Sequence, residues 1–130
     1  MAKRRIRAAD GAGAVREAQQ AIEAGEQVPR PVLATAVRFL LEELTERFPG
    51  NTLEVRVPPF GAAQCVEGPR HTRGTPPNVI ECDAETWIAL ALGQMSWQQA
   101  LAEHRATASG TRADLTDQLP LMGSTGNGAA

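Results

Sequence analysis

Residues 67–78, EGPRHTRGTPPN, hold the densest set of groups able to do chemistry in this chain. Arg70 and Arg73 stand three apart with His71 and Thr72 between them, and Thr75 follows. Guanidinium forks grip oxyanions in a bidentate way, and hydroxyl and backbone donors add to such a grip. Glycines at 68 and 74 let a ligand approach the main chain, while Pro69, Pro76 and Pro77 restrict the backbone. The stretch therefore predicts an ordered, exposed loop over 68–77 that binds an anionic group. It is not a nucleotide P-loop, because the Gly-Lys-Ser/Thr ending and the helix that follows it are missing. The competing reading is a proline-stiffened connector with solvated arginines. Arg112, at the start of an expected final helix, is a candidate third cation for the same ligand.

Other chemistries find less support. His71 and His104 are the only histidines, and neither has metal-ligand spacing to a cysteine or carboxylate pair, so no metal is expected. Cys65 falls in an expected strand, where a thiol is usually structural. No GxSxG elbow is present, so no catalytic residues are assigned and the chain is read as a non-enzyme without cofactor. A net charge of −2 and the absence of tyrosine argue against a nucleic-acid partner. No apolar run reaches the roughly 20 residues of a membrane span, and no apolar segment follows the basic start AKRRIR. A cytoplasmic protein with Cys65 and Cys82 as free thiols is the expectation.

These residues need elements to position them. Residues 1–13 read as a disordered basic N-terminus, 14–121 as a single domain, and 122–130 as a disordered tail. A short helix over 14–25 stops at Gly25. A longer one over 31–48 places Leu33, Val37, Leu40, Leu41, Leu44 and Phe48 on one face. The period then changes to two: Leu53, Val55 and Val57 alternate with Glu54 and Arg56, a half-buried strand ended by Pro58-Pro59. AAQCVE and NVIECD read as further strands, joined by the 68–77 loop as a long hairpin connection that would set Cys65 and Cys82 on neighbouring strands. Asp83 and Ser96 are N-cap candidates for two short helices, RATASG a last strand, and TRADLTDQLPLM a closing helix with Leu115 and Leu119 inward. Helices segregated from a small, mostly antiparallel sheet make an α+β fold.

That order, with Asp83, Trp87, Leu90, Gly93, Ala100, Gly110, Leu115 and Leu119 at matching places, resembles the sterol carrier protein type 2-like superfamily. The chain looks closest to short single-domain actinobacterial members, in which VPPFGAAQCVEGPRHTRGTPPN-like stretches recur. The resemblance covers about residues 30–121 and implies a five-stranded, mostly antiparallel sheet with helices packed on one face. It also implies an apolar cavity between the two layers and lipid or acyl-chain binding without chemistry. EHRATASGTR departs from the superfamily's usual last-strand signatures, so its ligand residues are not carried across.

Two functions follow from different classes. In one, the chain binds a lipid or other apolar small molecule between sheet and helices, with Trp87 at the tail and Arg70, His71, Arg73 or Arg112 at an acidic head. In the other, the core is filled and the 68–77 loop docks an anion or a protein partner of unknown identity.

Overall fold

Helix α2, Arg30–Arg47, is the hub of the fold. Pro31 lies in its first turn, where a missing N–H costs nothing. Its buried residues, Ala36, Val37, Phe39, Leu40, Leu41 and Leu44, cover more than one stripe, because α2 is packed on two sides. Helix α1, Ala8–Glu23, lies against one side and the sheet against the other. The computed structural model describes residues 5–68 and 78–123.

Helix α1 begins at Ala8, six residues before the apolar period suggests. Gly11 falls in the stretch that reads as disordered, yet it is buried inside the helix with the Phe39 ring pressed against it. The glycine is a packing residue: a side chain would not fit between α1 and α2. At the other end Gly25, with φ of 71°, ends the helix. Its N–H reaches the Ile22 carbonyl and the Glu26 N–H the Ala21 carbonyl, the paired bonds of a left-handed helix cap.

Strands β1 (Leu53–Val57), β2 (Gly61–Cys65), β3 (Asn78–Cys82) and β4 (Ala106–Ser109) form one sheet in the order β2-β1-β3-β4. Leu53, Val55 and Val57 are buried while Glu54 and Arg56 are half-exposed, as the alternation predicts. On β3, Asn78, Ile80 and Cys82 point to the same covered side. The helices pack on the face that carries Leu53, Val55, Val57 and Ile80, while Glu54, Arg56, Val79 and Glu81 on the other are half-buried or exposed.

Two expectations about the sheet are corrected. Among the described residues it has four strands rather than five, and it is mixed: β1 pairs antiparallel with β2 but parallel with β3, while β3 pairs antiparallel with β4. Strands β2 and β3 are not a hairpin. Cys65 and Asn78 both lie level with Leu53, on opposite sides of β1. These two strand ends are therefore about 10 Å apart at normal strand spacing, which a tight turn does not span. Cys65 and Cys82 are accordingly not neighbours; both are buried, free thiols.

Helix α3, Ala84–Ala91, is capped by Asp83, whose Oδ1 accepts from the Thr86 N–H at 2.8 Å. Helix α4, Trp97–Ala102, is capped by Ser96, whose Oγ accepts from the Gln99 N–H at 3.0 Å. The expected closing helix is absent; residues 111–122 are irregular, with short turns at 111–112 and 116–118. Asp114 accepts the Thr116 N–H at 2.7 Å, a local bond that competes with helix. Thr116, through its side chain and its backbone, also holds the Asp114 carboxyl below its ordinary range. The inward residues are Leu115 and Leu121, with Leu119 only partly buried, and the Leu121 and Met122 N–H groups bond the Ala91 carbonyl. Among the described residues no helix is long and apolar enough to cross a membrane.

Candidate functional site

The space between sheet and helices is occupied by side chains. Leu40, Leu44, Leu53, Val55, Ile80, Trp87, Ile88 and Leu90 are each buried to within 1% of complete. Trp87 is part of this core. Its indole Nε1 donates to the Val37 carbonyl at 3.3 Å, tying α3 to α2. An aromatic ring with its one polar atom satisfied in this way is a structural element before it is a ligand contact.

Open volume lies instead along the free edge of β2. A groove of about 1030 Å³, open to solvent, runs between that strand and α2. One wall is a helical stripe, Arg38, Leu41, Glu42, Thr45 and Glu46, spaced as one face of α2 requires. The other is Phe60 to Gln64, and Pro49, Gly50 and Asn51 close one end. Arg5 and Ile6 border it as well; their N–H groups both donate to the Glu42 carboxylate, at 3.3 Å each.

The groove is held at a fixed width by α2. Arg38 Nε donates to the Phe60 carbonyl at 2.8 Å, and the Thr45 hydroxyl to the Gln64 carbonyl at 3.2 Å. These residues are seven apart, two helical turns, so one helix face clamps both ends of the strand. The Arg30 guanidinium stands 5.2 Å over the Phe60 ring. Leu41 and Phe60 thus form an apolar floor beside Arg38, while Glu42 is engaged by the N-terminal segment.

A second polar concentration sits at the end of the sheet where β1 and β3 begin. Asn78, buried, donates from Nδ2 to the Thr52 carbonyl at 2.9 Å and accepts the Arg112 N–H on Oδ1 at 2.8 Å. Arg112 is exposed and lies in the turn after β4 rather than at a helix start, its guanidinium beside Gly68. It therefore stands at the foot of the arginine-bearing connection. Arg70, His71 and Arg73, with the expected order of the 68–77 loop beyond Gly68, lie outside the described residues.

Neither cysteine has the surroundings of a nucleophile. Burial pushes the Cys65 thiol up to about 12, and burial with Asp83 and Glu81 nearby does the same to Cys82. At neutral pH both are protonated and inert. Among the described residues no group of three metal-ligating side chains occurs. The residues that sequence reasoning missed are those of the groove. Arg38, Glu42, Thr45 and Glu46 lie outside the apolar stripe of α2, and the one available signal is the phenylalanine-glycine pair after Pro58-Pro59, which marks an apolar residue at a strand turn.

The sequence that builds this α+β layer pair also matches a known family. The family described as bacterial SCP ortholog, a sterol carrier protein-like family, matches residues 29–121, from the residue before α2 to the last buried leucine. The chain belongs to that family. No curated protein matches it.

Proposed function

We propose that the chain is a non-catalytic carrier of a lipid or other apolar small molecule, which lies in the groove between α2 and β2. Family membership supports a carrier role, and the groove supports the location. Its volume of about 1030 Å³ lies just above the roughly 300–1,000 Å³ of small-molecule sites, as an open groove can. The apolar floor of Leu41 and Phe60 suits a hydrocarbon tail, and Arg38 and Arg5 suit an acidic group at the rim. Because the core around Trp87 is packed, we favour the sheet edge over the space between the layers, where the family resemblance put the cavity.

Native mass spectrometry of freshly purified protein should find a co-purifying small molecule. Titration with a fluorescent long-chain fatty acid should give saturable binding at one site. Ala62→Trp, at an exposed groove position, should fill the space and weaken that binding at least tenfold while leaving the circular dichroism spectrum unchanged. Equal binding by the wild type and the folded variant would remove the groove from consideration.

A further inference from the structure

Part of the groove is built from outside the family match, which begins at residue 29. Arg5 and Ile6, ahead of α1, border it beside α2. Ile6 is partly buried against the core, and the Arg5 and Ile6 N–H groups both donate to the Glu42 carboxylate at 3.3 Å. The two bonds are long, but both are charge-assisted.

Their consequence lies one turn back along α2. Arg38 and Glu42 are four residues apart, so they share a helix face and are suited to an ion pair. That pair is not formed: among the described residues no carboxylate stands within ion-pair distance of Arg38. Arg38 Nε donates to the Phe60 carbonyl at 2.8 Å, which fixes the guanidinium and leaves its two Nη groups as a fork. Arg38 is exposed and lines the groove beside Leu41 and Phe60. Glu46, two turns further on, is itself engaged.

We infer that Glu42 is a positioning residue that gives the groove its preference for an acidic group. The segment ahead of α1 holds the Glu42 carboxylate off Arg38, and the guanidinium so released receives the acid. The inference rests on the groove reading and adds to it the residues that decide between an acidic and a neutral amphiphile. Without the two N–H donors, Glu42 turns to Arg38 on its own helix face and occupies the fork from within the chain. Seating of the N-terminal segment and binding of the acid are thereby linked, each favouring the other.

The test compares two double variants of the full chain. Arg5→Pro with Ile6→Pro removes both side chains and both N–H groups, whereas Arg5→Ala with Ile6→Ala removes the side chains alone. Decanoate and decanol are titrated against each, with NMR signals read at the Ala62 and Gln64 amides and at the Arg38 Nε–H. The wild type should bind decanoate about tenfold more tightly than decanol, as one charge-assisted hydrogen bond predicts. The alanine pair should keep most of that preference. The proline pair should lose it while binding decanol as before, and its Arg38 Nε–H signal should shift before any ligand is added. Glu42→Gln in the proline background should restore the preference, because glutamine carries no charge to compete for the guanidinium. Arg38→Gln in the otherwise unchanged chain should abolish it. Equal preference in the proline and alanine pairs, no restoration by Glu42→Gln, or a preference that survives Arg38→Gln overturns the inference and leaves the groove standing. If neither probe moves Ala62 or Gln64, the groove reading falls and the inference with it.

Discussion

The ring of Phe39 fills the space that a β-carbon on Gly11 would occupy, with Cδ1, Cγ and Cε1 all nearest to it. Gly13, one half-turn away in the same helix, faces open space. Alanine is worth about 1 kcal/mol over glycine inside a helix, whereas overpacking a buried contact costs about 1–3 kcal/mol. Gly13→Ala should therefore raise stability by about 0.5–1 kcal/mol in urea unfolding, and Gly11→Ala should lower it by about 1–2 kcal/mol. Equal effects would mean that α1 is not seated on Phe39.

Trp87 carries the junction of α2 and α3. Trp87→Ala removes a fully buried ring and should cost about 3–5 kcal/mol. Trp87→Phe keeps most of the packing and loses the bond to the Val37 carbonyl, so about 1–2 kcal/mol is expected. Chemical denaturation of both variants separates the two contributions; a loss under about 1 kcal/mol for alanine would place the indole at the surface.

The two thiols should behave as a matched pair. Cys65 and Cys82 lie two strands and four residues out of register, about 10 Å across and about 13 Å along the sheet. A disulfide needs α-carbons within about 7 Å, so both should be free in any compartment. Ellman's reagent should find almost no reaction in the native protein and two equivalents after unfolding. The raised pKa values also fix the alkaline behaviour. Between about 9 and 12 the unfolded thiol has lost a proton that the folded one keeps. Stability should therefore be full below pH 9 and fall above it, by up to about 1.4 kcal/mol per pH unit per thiol. Cys65→Ser with Cys82→Ser should flatten that slope.

His104 occupies the left-handed cap position of α4, with φ of 58°, where α1 and α3 use Gly25 and Gly93. Its N–H bonds the Leu101 carbonyl and the Arg105 N–H bonds the Ala100 carbonyl, the same pair of bonds as at the glycines. A side chain in that conformation costs about 1 kcal/mol or more, partly offset by glycine's extra freedom when unfolded. His104→Gly should raise the urea midpoint, by about 0.5–1 kcal/mol in free energy. A lower midpoint would mean that the imidazole makes a stabilising contact.

Much of the architecture was written locally. The period-two run Leu53, Val55, Val57 and the caps at Asp83 and Ser96 are determined by neighbours a few residues away, so they could be read directly from the chain. The residues themselves yielded four strands, and only the family resemblance added a fifth. The long connection before Asn78 was legible as too long for a turn, but its cause was not. Parallel pairing of β1 with β3 is a long-range choice, made by which edges are free once the β1–β2 hairpin has formed. The same is true of Gly11, which reads as a helix breaker until the Phe39 ring arrives from α2.

The candidate sites divide in the same way. Charge and glycine content marked the stretch from Gly68 to Thr75, and Arg112 was named as a third cation, because composition alone exposes a basic cluster. That Arg112 stands beside Gly68, over a buried Thr52 hydroxyl, depends on Asn78 joining three distant segments. The groove was invisible for the opposite reason. Its helical wall is polar and its strand wall small, and each is ordinary surface by itself. Only the clamp of Arg38 and Thr45 on the Phe60 and Gln64 carbonyls sets the two walls side by side, and hydrogen bonds between elements leave no period in a sequence.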